Sequence, residues 1–221
     1  MSHRPKYRIG IPIYPGVDLL DVAAPYELFQ WMSASVRKLR DISVELVAET
    51  MGIIATRDCM HISPHKTFLQ LPEVDLLWVP GGEPAALKKQ MANPTFMQYL
   101  VDVSQNAEYI TSVCEGALLL AEAGLLDGYQ ATTHWAFLPC FAKYPKIEVA
   151  PGNPRFVVDD HNGTKGIRVT GGGISSGLDE ALELVGRIAG LAIAEEVQLT
   201  TQYLPKPPIS VEIPIATDCP L

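Results

Sequence analysis

The chain has 221 residues, 48% hydrophobic and 19% charged, which is enough apolar material for one well-packed domain and excludes a disordered chain. Its formal charge of −8, from 25 acidic and 17 basic residues with no basic block, gives no support to a counterion-releasing grip on nucleic acid. No apolar run approaches the ~18–20 residues that span a bilayer, and MSHRPKYRIG lacks the apolar stretch of a secretory signal. The expectation is a single cytoplasmic domain over 1–221, with its core at about 7–204 and a proline-rich tail at 205–221.

YRIGIPI at 7–13 is β-rich and nearly continuously apolar, as in a strand buried on both faces of a parallel sheet. After the turn YPGVD, Leu20, Ala24, Leu28 and Trp31 recur at helical spacing to Met32, with Pro25 tolerable only in a first turn. SVELVAE at 43–49 reads as a second strand, and short strands and loops fill the stretch to Lys66. DLLWVP at 75–80 is a third strong strand, followed by Gly81-Gly82 and the helix EPAALKKQM.

PTFMQYLVDVSQNA starts on a proline suited to a first helical position and leads into the strand YITSV at 109–113. GALLLAEAGLL is a helix ending near Gly124; ATT at 131–133 is a short strand, and a helix runs from about Trp135 to Tyr144. RFVVDD and GIRVT flank Asn162-Gly163 as an antiparallel hairpin. GGGISSGLDEALELVGRIAG and AIAEEVQLTTQYL supply two last helices. Strands alternating with helices imply a mostly parallel sheet covered on both faces, with its site beyond the carboxyl ends of the strands.

Cys114 stands at such an end. The run V-C-E-G puts a thiol between a buried strand and a helix, with Gly116 permitting close approach, which is a nucleophile elbow with cysteine in the serine position. The helix N-terminus favours thiolate and lowers a cysteine pKa from ~8.5 to below ~7.5; the competing reading is a small buried core residue. Cys59, Cys140 and Cys219 lack that setting, and packing or exposure accounts for them. The four cysteines show no C-x-x-C pair, so no zinc site or other metal is expected, and in a reducing cytoplasm each should be a free thiol.

PGGEP offers amides near Gly82 that can join the Glu115 amide as donors for developing negative charge, or simply makes a turn. Asp21 has the position of a helix N-cap. If it instead lies near Cys114, electrostatic repulsion requires that it be protonated or share a proton with sulfur.

YPGVDLLDVAAP, VPGGEP, TSVCEGALLLAEAGLLDG, ATTHWA and TGGGISSGLDEALEL, in this order over about 7–204, resemble the ThiJ/PfpI superfamily, which has a class I glutamine amidotransferase-like fold. Within it, the LLD aspartate, SVC, ATTHWA, TGGGI and QLTTQYLPKPPI resemble the isocyanide hydratases. The resemblance implies a flavodoxin-like three-layer α/β/α sandwich, a homodimer and a cofactor-free lyase. It makes Cys114 the nucleophile, Asp21 the acid and the Gly82 and Glu115 amides the donor pocket, with His134, Gly173 and Ile174 lining the substrate site. His134 alone would read as a hydrogen-bonded structural histidine.

Two departures stand out. Glu115 replaces the threonine that hydratase-like members carry after the cysteine; an outward side chain compensating the helix dipole is the expectation, and an inward one would raise the thiol pKa. Ala23-Ala24 replace a threonine and a glycine beside Asp21. The histidine that follows the cysteine in PfpI-type amidases is absent, which argues against peptidase activity, and no helix-turn-helix pair fits after about Leu204. The implied activity is hydration of an isocyanide to a formamide through a Cys114 thioimidate. A glyoxalase-like enzyme acting on dicarbonyls and a non-catalytic cysteine redox sensor are the alternatives.

Overall fold

The structure is a computed structural model that describes residues 6–161 and 166–221. Its strands are β1 (Lys6–Pro12), β2 (Asp41–Ala48), β3 (Ile54–Ala55), β4 (His61–Ile62), β5 (Lys66–Thr67), β6 (Leu76–Val79), β7 (Tyr109–Ser112), β8 (Gln130–Ala131), β9 (Glu148–Val149), β10 (Phe156–Asp159) and β11 (Ile167–Gly171). The α-helices are α1 (Leu19–Val36), α2 (Pro84–Met91), α3 (Pro94–Ser104), α4 (Gly116–Glu122), α5 (Ser176–Ala189) and α6 (Leu191–Thr201).

The main sheet has the order β10-β11-β7-β6-β1-β2-β5. Every neighbouring pair is parallel except β10–β11, which is antiparallel. This is the expected flavodoxin-like sheet with a small hairpin; the Asn162-Gly163 turn lies outside the described residues. Helices α1, α5 and α6 pack together over one face, and α2, α3 and α4 over the other. β6 and β7 are buried along their whole length, which explains the uninterrupted apolar sequence of β6; on β7 the buried Thr111 hydroxyl donates to the Leu77 carbonyl at 2.9 Å. The segment Trp135–Lys143, expected as a helix, is 3₁₀; Pro139 inside it cannot donate an α-helical hydrogen bond.

Helix α1 differs from the sequence reading in two respects. Its buried side is Asp21, Val22, Ala24, Pro25, Leu28, Phe29, Met32 and Val36, whereas Leu20 and Trp31 are exposed. Pro25 lies in the interior rather than in the first turn. A proline there frees the carbonyl four residues earlier, that of Asp21, and the indole Nε1 of Trp78 on β6 donates to it at 3.0 Å. Tertiary structure therefore supplies the hydrogen bond that proline removes, and aims the start of α1 at the sheet.

The free-thiol expectation fails for one pair. Cys140 and Cys219 form a disulfide, with Cα atoms 4.7 Å apart across a sequence separation of 79. The tail returns from α6 to the 3₁₀ segment, where the Lys143 ammonium also donates to the Leu221 carbonyl at 3.2 Å. Sequence spacing holds no trace of that approach. Cys59 and Cys114 are free.

Candidate active site

The loops after β1, β6, β7 and β11, four adjacent strands, meet at the carboxyl edge of the sheet. Cys114 is fully buried there with φ of 51°, a left-handed conformation that costs a non-glycine residue free energy and has the geometry of the strained strand-to-helix turn expected from the sequence. Neighbouring loops hold it in that conformation. Its N–H donates to the Gly172 carbonyl at 2.8 Å, and the Thr133 hydroxyl donates to its carbonyl at 2.8 Å. Two residues on, Gly116 lets α4 rest on β6: a Cβ there would lie 2.8 Å from the Val79 carbonyl carbon and nearer still to its oxygen.

Asp21 is 1% exposed. The Cys114 thiol donates to its Oδ1 at 3.4 Å, and the Gly81 amide donates to its Oδ2 at 2.9 Å. Asp18, not Asp21, is the N-cap residue of α1; Asp21 sits in the first turn with its carboxylate turned to sulfur. Burial, then the charge of Asp18, holds the Asp21 carboxyl well above the usual range, against the lowering effect of the Gly81 amide. Burial, then Asp21 and Glu115, pushes the Cys114 thiol far up, so the helix N-terminus does not produce the depressed thiol expected from sequence. Proton and sulfur remain paired with Asp21.

Glu115 corrects the outward expectation. It is 6% exposed, and its Oε2 has no hydrogen-bond partner among the described residues. Burial pushes its carboxyl up to about 7, opposed first by the backbone amide of Glu115 itself and also by that of Gly82. Those two amides are the ones assigned from sequence to a donor pocket, and here they face this chain's own carboxylate. Gly81 makes the inward position possible, because a Cβ on it would stand 2.5 Å from Glu115 Oε2 and 2.8 Å from Cys114 Cβ.

Atoms of Asp18, Cys114 and Glu115 lie within 4.8 Å of one another. This is the spacing of a cation site, but Arg57 already supplies positive charge, with Nη1 2.9 Å from Asp18 Oδ1. His134 caps the 3₁₀ segment, its Nδ1 accepting from the Ala136 amide at 3.3 Å and standing 3.9 Å from Glu115 Oε1. Burial lowers its pKa, which keeps the ring neutral. Gly173 abuts this ring; a Cβ there would be 3.1 Å from His134 Cδ2. Ile174 is half-buried against the core.

Sequence reasoning missed four participants. Trp78 and Arg57 carry no local signal of their contacts. Tyr14, buried, donates its hydroxyl to the Pro80 carbonyl at 3.0 Å and braces the PGG loop. Glu180 on α5 is fully buried, its carboxyl oxygens without hydrogen-bond partners among the described residues, in the space a Cβ would take at Gly171. Burial and then Asp21 hold its carboxyl well above the normal range, so it is a neutral acid on the core side of the site.

The model of the DJ-1/PfpI family matches residues 7–167. This chain belongs to the DJ-1/PfpI family. It is 34% identical over 201 residues to an isonitrile hydratase of Pseudomonas putida, covering 91% of this chain and 80% of that one. It is 30% identical over 155 residues to the HTH-type transcriptional regulator CdhR of Pseudomonas aeruginosa, covering 69% of this chain but 42% of the regulator. Among solved structures, a THiJ/PfpI family protein from Pseudomonas syringae superposes with a TM-score of 0.81 at 30% identity, over 93% of this chain and 78% of that chain. Drosophila melanogaster DJ-1beta, at 15% identity and a TM-score of 0.73 over 90% of this chain and 98% of that one, shares the fold. No helix among the described residues is long and apolar enough to cross a membrane.

Proposed function

We propose that this DJ-1/PfpI protein is an isocyanide hydratase-like lyase that converts an organic isocyanide and water to an N-substituted formamide. The observation that carries the proposal is the buried contact between Cys114 Sγ and Asp21 Oδ1 at 3.4 Å, a nucleophile and an acid sharing a proton away from water. The 34% identity to an isonitrile hydratase over most of both chains supports it.

Isocyanide carbon accepts both a nucleophile and a proton. As Cys114 sulfur bonds to that carbon, the shared proton passes through Asp21 to the same carbon, giving a thioimidate and leaving Asp21 ionised. Asp21 then takes a proton from water as the water oxygen attacks. Collapse of the tetrahedral adduct breaks the C–S bond, releases the formamide and restores the thiol–carboxylate pair. No metal or cofactor enters the scheme. No step before collapse builds a full oxyanion, which suits a donor pocket that faces the Glu115 carboxylate. His134, Gly173 and Ile174 border the substrate position, and a homodimer completes the proposal.

Formamide production from cyclohexyl isocyanide or para-nitrophenyl isocyanide tests it. Wild type is expected to turn over, with Cys114→Ala inactive and Asp21→Asn losing roughly 10²–10⁴-fold, the usual scale of acid–base catalysis. Absence of formamide from wild type overturns the reading. Methylglyoxal consumption with isocyanides inert would favour a glyoxalase-like enzyme instead, a reading to which the buried, partly protonated carboxyl of Glu115 lends weight.

A further inference from the structure

Hydration through a thioimidate moves protons at three atoms: the substrate carbon, the substrate nitrogen and the attacking water. Asp21 serves the carbon and then the water, which leaves nitrogen without a donor. When water adds, nitrogen must gain a proton at the moment Asp21 is receiving one. An ionised Asp21 has no proton to give while it takes one from water, so protonation of nitrogen in the same step calls for a second acid.

We infer that Glu115 is that group, delivering a proton to the substrate nitrogen as water adds and recovering one from the new hydroxyl as the adduct collapses. This inference rests on the hydratase reading. The Glu115 side chain is turned into the site with 6% exposure, and its Oε2 has no hydrogen-bond partner among the described residues. An unsatisfied buried carboxyl oxygen costs free energy unless a ligand completes it. Its position relative to sulfur is suitable, since carboxylate and sulfur atoms of Glu115 and Cys114 lie within 4.8 Å. The nitrogen of a thioimidate is two bonds from sulfur, so a carboxyl at that range reaches it through an ordinary hydrogen bond. Gly81 keeps the space between the two side chains open, because its missing Cβ would touch both Glu115 Oε2 and Cys114 Cβ.

The surroundings suit a group that must act in both protonation states. Asp18 and burial favour the neutral acid, while Arg57 and the amides of Glu115 and Gly82 favour the anion, and the balance falls at about 7. Burial raises the pKa values of Asp21 and Tyr14, the other titratable groups whose charge is coupled to that of Glu115. Cys114 is a thiol by the same cause, and His134 is neutral beside Oε1.

The electron and proton count closes. Water attack forms C–O, sends one water proton to Asp21, turns C=N into C–N and takes the Glu115 proton onto nitrogen. Collapse forms C=O, returns the hydroxyl proton to Glu115 and breaks C–S. The sulfur leaves as thiolate and recovers its shared proton from Asp21.

The test separates thioimidate formation from its breakdown in Glu115→Gln, with Glu115→Asp as the shorter carboxyl, after thermal denaturation has shown that both fold. Intact-protein mass spectrometry after rapid mixing with cyclohexyl isocyanide follows the adduct on Cys114, and formamide release follows breakdown. Glu115→Gln is expected to form the adduct at near the wild-type rate, accumulate it, and release formamide about 10²-fold or more slowly, with Glu115→Asp partly restored. In wild type, breakdown should slow as pH rises through about 7, and Glu115→Gln should lack that limb. Wild-type turnover with Glu115→Gln within about threefold of it, or a loss confined to adduct formation, overturns the inference and leaves the hydratase reading standing. Wild type that forms neither adduct nor formamide overturns the reading itself, and the inference with it.

Discussion

Replacing Gly116 with alanine should damage stability and reactivity together. A Cβ at this position would lie 2.8 Å from the Val79 carbonyl carbon and 3.0 Å from that of Pro80, where unstrained carbons stand ~3.5–4.0 Å apart. Both obstacles are backbone and cannot rotate away, so α4 has to withdraw from β6 by roughly 1 Å. The Val79 carbonyl also accepts from the Val113 amide at 3.1 Å, and that bond is strained by the same movement. Overpacking costs ~1–3 kcal/mol and a weakened hydrogen bond ~1 kcal/mol more, a loss of about 2–4 kcal/mol. Cys114, two residues away, moves with the helix, and a 1 Å misplacement costs roughly 100-fold in rate. Urea denaturation and the alkylation rate of Cys114 measure the two effects. Gly186→Ala is the control, because its Cβ would meet only Ala194 Cβ at 3.7 Å inside α5; it should be neutral or stabilise by up to ~1 kcal/mol. A wild-type urea midpoint and alkylation rate for Gly116→Ala would refute the elbow argument.

Trp78→Phe keeps the apolar packing but strands the Asp21 carbonyl, which Pro25 cannot serve; a loss of ~1–3 kcal/mol is expected, and a change below ~0.5 kcal/mol would show that the indole bond is not needed. Glu115 has a folded pKa raised from 4.5 to about 7, so the folded state holds its proton longer than the unfolded chain. Its contribution to stability is complete below about 4.5 and declines as pH rises to about 7, by about 3 kcal/mol. Urea midpoints across this range should fall in wild type and flatten in Glu115→Gln; equal slopes would contradict the inward, desolvated carboxyl. The Cys140–Cys219 disulfide closes a separation of 79 residues, for which chain entropy predicts a contribution of ~4–5 kcal/mol. Cys219→Ala should lower the denaturation midpoint and speed amide exchange in the tail, and an unaltered midpoint would remove the tail's structural role.

The alternation of strands and helices, the hairpin and the placement of Cys114 were legible in the chain because their signals are local. An uninterrupted apolar run marks β6, Pro94 marks the start of α3, and Gly116 marks a close helix–strand approach whatever the rest of the fold. Asp21 was legible only by resemblance: its position alone suggested an N-cap, and that place belongs to Asp18. The orientation of Glu115 could not be read, since it depends on Gly81, Arg57 and the Gly82 amide, which other loops bring to it. The same holds for the indole of Trp78 beneath Pro25, the neutral acid Glu180 behind Gly171, and the joining of Cys140 to Cys219. Periodicity and turn chemistry act within a few residues, so the sequence by itself determined the main elements and the strand-end place of Cys114. Desolvation, charge coupling and disulfide pairing act through space, so only the tertiary structure decided which carboxyls surround that thiol and in which direction their pKa values move.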